Sequence, residues 1–440
     1  MIGQRSNPKD WRDFQSRLRE KARRKHFAFR GALLCVYILL ISASYGGSRI
    51  LANRETDAET TPGRSEHWKS IDSERFTKQD LPSLISPLNL DLNPGDETQF
   101  LVVKDEKKLK VEVSLDAALQ AYIFKLLRRS RTHQTAVFAL KPANGQVLAM
   151  ASYDQGGKTE NLCLKADFPA ASIFKIISAA AAIETSGFTP EKPVAFRGKK
   201  HTLYKSQLKK DEGRYSTKTS FKRAFSGSIN PVFGKIGIYD LGEESLSEYS
   251  DKFLFNQEIP FDLPLAVSSI HVPEDEFGLA EIATGFNKKT LISPLHVSLI
   301  TAAIANCGIM VEPWLVRRIQ DESGKALYRA RYARLGMAIE EETAIQLKIL
   351  MNDTVLNGTC RKAFLPLRRK KSFQGIEIGA KTGTINDSQD LFKYDWVTVY
   401  ALPKDPEKGI CITVLAIHGE ILGIRASEMA RHILQHYYAS

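Results

Sequence analysis

Apolar residues dominate the stretch that follows Pro169, where polar positions almost disappear for four helical turns. A helix that is apolar on every side is buried inside a protein core. Gly187 and Pro190 end the stretch in the usual way, with glycine as the C-terminal cap and proline just beyond it. The pattern therefore predicts a buried helix that begins near Ser172 and is built from Ile173, Phe174, Ile176, Ile177, Ala179–Ala182 and Ile183.

Strands and amphipathic helices alternate through the rest of the chain from about residue 100. Alternating apolar and polar positions predict half-buried strands, and apolar residues at helical spacing predict helices. The predicted strands lie at 100–113 as a hairpin, at Thr135–Leu140 and Gln146–Ala151 as a second hairpin, at 313–333 as edge strands, and at 375–384, Asp395–Leu402 and Ile410–Ile417. The predicted helices begin at Leu115 and at Ser220, and further helices cover Pro294–Ala305, 340–357 and Ala426–Tyr438.

The N-terminal region has the pattern of a membrane protein. Residues 31–48 contain no charged side chain and are just long enough to span a bilayer. Residues 1–30 hold ten Lys or Arg against three Asp or Glu, which puts the N-terminus in the cytoplasm. We expect a basic cytoplasmic tail (1–30), a single transmembrane helix (31–48) and an extracytoplasmic linker (49–97). A signal peptide cleaved near Ser42–Ser44 is the alternative, but the charged tail is long for one.

The distribution of charge limits the possible partners, and the cysteines give no metal-binding pattern. The chain of 440 residues has a net charge of +12, of which +7 belongs to residues 1–30. The excess of positive charge therefore lies mostly in the N-terminal tail, and no nucleic-acid partner is expected. A second basic stretch, 199–223, is either a solvated face or a hold for an anionic polymer. Five cysteines show no metal-ligand spacing, and the sequence leaves open whether Cys163, Cys307, Cys360 and Cys411 are free or paired.

Ser172 and Lys175 share one face at the first turn of the predicted buried helix. A serine three residues before a lysine is a common pattern, and it occurs twice more, at Ser6 and Ser206. Only the copy at Ser172 opens a buried helix, where a polar pair is costly unless it has a task. The alternative is that the two side chains merely begin the helix.

Two further short motifs follow in the chain. Ser228 and Asn230 flank one residue and can point the same way in an extended turn, although such a pattern is more often only a turn. Lys381, Thr382, Gly383 and Thr384 end a predicted strand. Each motif is weak alone, but the three in this order form the set that is typical of penicillin-binding proteins and serine β-lactamases.

The chain resembles the transpeptidase domain of class B penicillin-binding proteins over roughly residues 100–440. The resemblance extends beyond the three motifs to the elements that surround them in order. These are the strand and helix of Val113–Gln120, the hairpin of Ala136–Ser152, the proline-led segment Phe168–Lys175, the helix from Ser293 to Gly308, Gly358-Thr359, Gly379–Thr384 and Asp395-Trp396.

The resemblance implies an α+β fold of three layers. An antiparallel sheet covered by helices would be joined to an all-helical subdomain, and the transpeptidase domain would occupy residues 98–440. Ser172 would be the nucleophile and Lys175 its base, and Ser228 would relay a proton between Lys175 and the leaving amine. Asn230 would hold the substrate amide, and the backbone N–H groups of Ser172 and Thr384 would form the oxyanion hole. The terminal carboxylate of the substrate would be bound by Lys381, Thr382 and Thr384, beside a strand edge that Gly383 leaves open.

The same resemblance implies the substrate and the partners. The substrate would be the D-Ala-D-Ala end of a peptidoglycan stem peptide, β-lactams would acylate the same serine, and no metal or organic cofactor would be needed. The chain would act at the cytoplasmic membrane, in a cell-wall synthesis complex with a separate glycosyltransferase, since it contains no such domain itself. About fifty residues separate the anchor from the first hairpin, fewer than the module usual in class B members, and Ala170-Ala171 replaces the frequent Pro-Gly before the serine.

Two alternatives remain at this stage. One is a hydrolase on the same fold, either a D,D-carboxypeptidase or a β-lactamase, since water and an amine compete as acceptors. Asn230 argues against the class D β-lactamases, in which this position is usually apolar. The other is a catalytically silent penicillin-binding sensor or scaffold, which the intact motif residues disfavour because function is assigned from the site rather than the fold.

Overall fold

The computed structural model describes residues 76–91, 97–157, 160–210 and 215–439. The compact unit to which they belong begins at Phe76. The predicted tail, anchor and first part of the linker lie outside the described residues. Among the helices that are described, none is both long and apolar enough to cross a membrane.

Eleven α-helices occur in the described residues. In chain order they are α1 Leu81–Ile85, α2 Ala117–Arg128, α3 Lys175–Ser186, α4 Phe221–Ser226, α5 Asn230–Ile236, α6 Gly242–Lys252, α7 Glu276–Thr284, α8 Pro294–Ala305, α9 Glu341–Leu356, α10 Arg361–Phe364 and α11 Ala426–Tyr437.

The same residues form fifteen strands. They are β1 Gln99–Lys104, β2 Lys107–Val113, β3 Gln134–Leu140, β4 Val147–Asp154, β5 Phe168–Pro169, β6 Pro193–Phe196, β7 Thr217–Ser220, β8 Leu291–Ile292, β9 Ile309–Val311, β10 Val316–Gln320, β11 Ala326–Arg329, β12 Arg334–Met337, β13 Glu377–Asn386, β14 Lys393–Leu402 and β15 Ile410–His418.

The central sheet has five antiparallel strands in the order β13-β14-β15-β3-β4. Successive side chains of a strand point to opposite faces, and β3 shows this clearly. Phe138 belongs to the larger hydrophobic core, whereas Val137 and Ala139 belong to a second core with α2 and α11. Helices therefore cover both faces of the sheet, and the predicted α+β architecture is confirmed.

Helix α3 lies in the larger core, and all residues from Lys175 to Ile183 are buried. Gly187 ends it with a φ of +60°, a backbone conformation that glycine adopts without steric cost. Ser172 itself precedes α3, in a single 3-10 turn at Ala171–Ile173. The predicted helix is therefore present, but its first residues form a tighter turn.

Four α-helices, α4 to α7, lie between α3 and α8, where an all-helical subdomain was predicted. The subdomain is not entirely helical, however, because β6 and β7 pair as a short antiparallel ladder. Val194, Thr217 and Thr219 lie in these two strands, and β-branched residues of this kind favour extended backbone.

The last part of the predicted linker packs onto the domain. Residues 76–91 form α1 and two 3-10 turns, and Leu81, Leu84, Ile85 and Leu90 are buried in the larger core. Lys78 reaches the domain as well, since its Nζ donates a hydrogen bond to the Pro313 carbonyl at 3.0 Å. The domain boundary predicted at residue 98 is therefore wrong, because these apolar side chains need the core of the domain to leave water.

The four cysteines that the structure describes are free thiols, which answers the question that the sequence left open. Cys163, Cys360 and Cys411 are buried, and burial raises the pKa of each thiol, to about 12 for Cys360. Within the described ranges, no group of three His, Cys, Asp or Glu side chains could hold a metal ion.

Candidate active site

Lys175 stands at the centre of the site because its side chain joins three different elements. Its Nζ lies 2.9 Å from Ser172 Oγ, 2.8 Å from Asn230 Oδ1 and 2.5 Å from the carbonyl oxygen of Thr284. Ser172 comes from the turn before α3, Asn230 from the start of α5 and Thr284 from the end of α7. The lysine is fully buried, whereas Ser172 is only half-buried and can be reached from solvent.

The environment of Lys175 disfavours its charged form. Burial lowers its pKa well below the usual value, and the nearby Lys381 cation lowers it further. The aromatic ring of Phe233, 5.7 Å from Nζ, provides part of the apolar surroundings. We therefore expect Lys175 to lose its proton far more readily than an exposed lysine.

The hydrogen-bond partners of Lys175 fix the direction of its lone pair. The Asn230 Oδ1 and Thr284 carbonyl oxygens can only accept hydrogen bonds, so a neutral amine gives them its two hydrogens. Its lone pair then faces the third partner, the hydroxyl of Ser172, 2.9 Å away. A hydroxyl can donate as well as accept, so in this state Ser172 donates its proton toward Lys175.

Lys381 approaches from the central sheet. Its Nζ donates to Ser228 Oγ at 3.2 Å and to the Thr382 carbonyl at 2.9 Å, and it lies 5.4 Å from the centre of the Phe225 ring. Burial lowers the pKa of Lys381 to about 7. Ser228 thus contacts Lys381, whereas the hydrogen bonds of Lys175 go to Ser172, Asn230 and Thr284.

The turn that carries Ser172 is held between two glycines. Ala171 has a φ of +48°, which is strained for alanine. A Cβ at Gly285 would lie 1.8 Å from the Ala171 carbonyl oxygen, and one at Gly383 would lie 3.3 Å from the Ser172 nitrogen. The absence of both side chains lets the end of α7 and strand β13 approach the turn that carries Ser172 closely.

Strand β13 has one free edge beside Ser172. It is the terminal strand of the central sheet, and among the described strands it pairs only with β14. On its other side it meets the turn Ala171–Ile173, with Gly383 closest to Ser172. An edge strand next to a nucleophile offers backbone hydrogen-bonding groups to an extended peptide.

The two threonines of the β13 motif have different partners. Thr382 is half-buried, and its Oγ1 lies 2.6 Å from Oγ1 of Thr359. Thr384 is exposed, and its hydroxyl donates to Asp395 Oδ1 at 3.4 Å. Asp395 also accepts from Arg425, with an Nη2–Oδ1 distance of 3.4 Å. Burial raises the pKa of Asp395, but His418 and Arg425 together hold it below its usual value.

Ser228 sits in a tight turn with a φ of +52°. The turn is fixed from outside by the segment that follows β6. The Asn230 N–H donates to the Lys200 carbonyl at 2.7 Å, and Nδ1 of His201 lies 3.1 Å from the Ser228 carbonyl oxygen. This segment therefore forms one wall of the site.

The eight residues singled out from the sequence lie around one site. Ser172, Lys175 and Asn230 are joined by hydrogen bonds, as are Lys381 and Ser228. Gly383 lies against Ser172, while Thr382 and Thr384 flank Gly383 on the same strand.

The sequence profile of the penicillin-binding protein transpeptidase domain matches residues 135–414 of this chain. The chain belongs to the penicillin-binding protein transpeptidase family. The match includes the central sheet, α3 and all three motifs. The resemblance noted from the sequence is thereby confirmed, with distant homology to class B penicillin-binding proteins.

Two relatives with distant similarity to this chain are class B penicillin-binding proteins. Peptidoglycan D,D-transpeptidase PbpA of Mycobacterium tuberculosis (strain H37Rv) is 23% identical over 94% of this chain and 87% of its own length. Stage V sporulation protein D of Bacillus subtilis (strain 168) is 24% identical over 68% of this chain. The match spans only 47% of that protein, about half its length.

Solved transpeptidase structures share the fold. Penicillin-binding protein A of M. tuberculosis superposes with a TM-score of 0.61 at 21% identity, covering 74% of this chain and 80% of that chain. The D,D-transpeptidase domain of a peptidoglycan glycosyltransferase from Eggerthella lenta gives a TM-score of 0.61 at 20% identity, covering 74% and 82%.

Three parts of this penicillin-binding transpeptidase site were not found from its sequence. Thr284 acts through its backbone carbonyl, so no side-chain pattern reveals it. His201 lies in a basic stretch interpreted as a solvated face or a hold for an anionic polymer. Asp395 was noted beside Trp396, but its contact with Thr384 depends on pairing between β13 and β14.

Proposed function

We propose that the protein is a serine D,D-transpeptidase that cross-links peptidoglycan stem peptides. The observation that carries the proposal is the hydrogen bonding of Lys175, whose neutral amine directs its lone pair at the hydroxyl of Ser172. A serine hydroxyl is a poor nucleophile until a base takes its proton. A buried, readily deprotonated lysine meets this need without a histidine.

In the proposed acylation, Ser172 Oγ attacks the penultimate D-Ala carbonyl and Lys175 takes its proton. The backbone N–H groups of Ser172 and Thr384 receive the developing oxyanion, and donors of this kind are commonly worth about 3 kcal/mol. Ser228 then passes a proton to the leaving D-Ala amine.

The Ser228 relay draws on the contact of this serine with Lys381. Its hydroxyl accepts from Lys381 Nζ at 3.2 Å, so Lys381 can supply the relayed proton. Asn230 touches Lys175 through Oδ1, which leaves its Nδ2 hydrogens available for the substrate amide. Deacylation reverses the route, with the amine of a neighbouring stem peptide attacking the acyl-enzyme.

Recognition of the substrate carboxylate is assigned to Lys381, Thr382 and Thr384. A lysine with a pKa near 7 becomes fully charged when an anion binds beside it. Thr382 and its hydroxyl partner Thr359 extend the donor set. The open edge of β13 beside Gly383 would pair with the peptide backbone.

β-Lactams would acylate Ser172 in the same way. Solved structures of M. tuberculosis penicillin-binding protein A are described as acyl-enzyme complexes with penicillin G, imipenem and ceftriaxone. We transfer that reactivity to this chain on the basis of the shared family and the geometry around Ser172.

The deciding experiment is covalent labelling of the full-length protein with fluorescent penicillin, followed by peptide mass mapping. Ser172→Ala is expected to abolish labelling. Ser206→Ala is the matched control, because Ser206 and Lys209 repeat the same spacing on an exposed surface. Equal labelling of the parent and Ser172→Ala would refute the assignment. Labelling at Ser172 without any turnover of a D-Ala-D-Ala peptide would instead favour a catalytically silent penicillin-binding sensor or scaffold, and a parent that is never labelled would refute the proposal.

Transpeptidation and hydrolysis need a second assay. A peptide ending in D-Ala-D-Ala is supplied with and without an amine acceptor, and the products are separated by mass spectrometry. Cross-linked product is expected in the presence of the acceptor. Release of D-Ala without cross-linking would make the protein a D,D-carboxypeptidase, and rapid turnover of penicillin would make it a β-lactamase.

We also propose that residues 31–48 anchor the protein in the cytoplasmic membrane with the catalytic domain outside. The support is the uncharged stretch itself and the ten cations that precede it. A separate glycosyltransferase in a cell-wall synthesis complex would supply the glycan strands. External protease on intact spheroplasts should cut residues 49–75 while sparing residues 1–30, and complete protection of 49–75 would refute this orientation.

A further inference from the structure

The positive charge of the catalytic unit is concentrated in one part of its sequence. Residues 191–223 contain eleven Lys or Arg and three Asp or Glu, a net charge of +8. Residues 76–440 as a whole carry only +6, so the remainder of the unit is slightly negative. A second basic run at 361–371 includes α10, which packs against α11.

The first basic stretch is attached to the active site by its backbone and by a histidine ring. The Lys200 carbonyl accepts a hydrogen bond from Asn230, and His201 contacts the Ser228 carbonyl. Ser228 and Asn230 are both in the proposed catalytic machinery. The backbone at Lys200 and the ring of His201 are consequently fixed against the turn of Ser228 and Asn230, and Lys199 directly precedes them.

An internal hydrogen-bonding residue makes this segment rigid. Gln207 is buried, and its Nε2 donates to the Arg197 carbonyl at 2.8 Å and to the Lys199 carbonyl at 3.3 Å. Its Oε1 accepts from the Tyr204 N–H at 3.1 Å. Gly198 has a φ of +72° and leaves room for the Gln207 amide. The lysines at 199 and 200 are therefore displayed on an ordered loop.

The side chains of Lys199 and Lys200 are both exposed to solvent. In the described part of the chain, neither Lys199 nor Lys200 forms an ion pair, whereas Lys222 pairs with Glu191. Tyr204, 56% exposed, adds an aromatic surface to the same loop. Two lysines held side by side repel each other, and an anionic ligand would relieve this repulsion.

We propose that the loop of Lys199, Lys200 and His201 binds the free carboxylates of a polymeric, peptide-substituted glycan beside the active site. This inference rests on the proposed function. A glycan strand in which each stem peptide ends in a carboxylate is a polyanion. One stem enters the site, and the loop binds the carboxylates of neighbouring stems. The surface therefore favours the polymer over a single stem peptide.

The test is co-sedimentation of the full-length protein, in detergent, with purified peptidoglycan sacculi freed of other wall polymers. Lys199→Gln/Lys200→Gln is expected to weaken binding about fivefold at low salt, the effect of losing two exposed ionic contacts. Raising the salt should weaken the parent more than the variant. The matched control is Lys107→Gln/Lys108→Gln, an exposed lysine pair at the start of β2, in another sheet.

A second ligand tests the chemistry that is recognised. In these sacculi the carboxylates have been converted to amides. The parent should bind them weakly, with the same affinity that Lys199→Gln/Lys200→Gln shows for untreated sacculi. Equal weakening by both lysine pairs would mean general charge attraction and would overturn the proposal. Unchanged binding of the 199/200 variant would also overturn it.

Penicillin labelling separates this inference from the proposed function. The substitutions change only side chains and keep the Lys200 carbonyl that accepts from Asn230. The 199/200 variant should therefore be acylated at Ser172 within about twofold of the parent rate. If the parent is labelled normally and the 199/200 variant binds sacculi as tightly as the parent, only the proposal for the loop is refuted. Absence of labelling in the parent refutes the proposed function itself.

Discussion

Nζ of Lys175 lies 2.8 Å from Oδ1 of Asn230, so a charge introduced at position 230 acts directly on the protonation of the lysine. This relationship ties the second sequence motif to the first and makes the proposed base accessible to experiment.

Asn230→Asp should slow acylation at neutral pH and restore it at higher pH. A carboxylate within hydrogen-bonding distance stabilises the ammonium form and raises a lysine pKa by about 1–3 units. The second-order rate constant of penicillin acylation should fall at least about tenfold at pH 7. The acidic limb of its pH profile should shift to higher pH. Asn230→Ala, which removes the hydrogen bond without adding charge, should slow the reaction without that upward movement. Identical pH profiles for the two variants would contradict the role of Lys175 as the base.

Lys381→Gln should move the acidic limb of acylation in the same direction. Burial is the larger cause of the low pKa of Lys175, and the Lys381 cation adds to it. Removing that cation therefore raises the pKa of Lys175, and a higher pH is needed to deprotonate it. The measurement is the pH dependence of acylation by a neutral ester substrate, which does not depend on carboxylate binding. An unchanged limb would show that the two lysines are not electrostatically coupled.

Lys381→Met should stabilise the fold at neutral pH. The pKa of Lys381 is about 7 in the folded state and near 10.5 when exposed, so between these values the unfolded chain binds more protons. The contribution of this group to stability therefore rises as pH increases from 7 toward 10.5. The methionine variant should gain about 1 kcal/mol or more at pH 7 and lose this part of the pH dependence in urea titrations. Lys108→Met, at an exposed position, should do neither.

Gly285→Ala should damage both stability and acylation, whereas Gly187→Ala should affect mainly stability. Both glycines cap helices with positive φ, +65° and +60° respectively. Only at Gly285 would the new Cβ meet the Ala171 carbonyl oxygen, at 1.8 Å, while the space at Gly187 is open. We expect a loss of about 1 kcal/mol for Gly187→Ala and about 3 kcal/mol or more for Gly285→Ala.

Acylation rates distinguish the two glycine variants further. The collision at position 285 pushes on the turn that carries Ser172, so the surviving folded fraction should label slowly. The variant at 187 should label at the parent rate. Equal rates in the two folded fractions would show that the nucleophile turn tolerates displacement.

A chain that begins at residue 98 should be much less stable than one that begins at Phe76. The shorter chain lacks Leu81, Leu84, Ile85 and Leu90, which are buried in the larger core. Burial of each such side chain contributes about 1.5–3 kcal/mol. Thermal unfolding should show a clear drop in Tm for the shorter chain, and equal Tm values would contradict the structural role of residues 76–91.

Much of the fold could be predicted from local patterns. The hairpin of β3 and β4, helix α8 from Pro294 to Ala305 and the buried α3 follow from apolar periodicity and from their terminal Pro and Gly residues. The packing of residues 76–91 onto the domain was not predicted, because their helix is short, is flanked by polar residues and shows no clear hydrophobic periodicity. Its apolar residues are explained only by the core that receives them.

The sequence by itself determined which residues we propose for the chemistry. Ser172, Lys175, Ser228, Asn230 and the motif from Lys381 to Thr384 are identifiable by residue type, spacing and order, because each reaction step needs a particular functional group. The tertiary structure decided how those groups are coupled. The lone pair of Lys175 is oriented by hydrogen bonds to Asn230 and to the backbone carbonyl of Thr284, which is 109 residues further along the chain. No sequence pattern records a backbone carbonyl or the loss of water around a lysine, since both arise only when distant elements pack together.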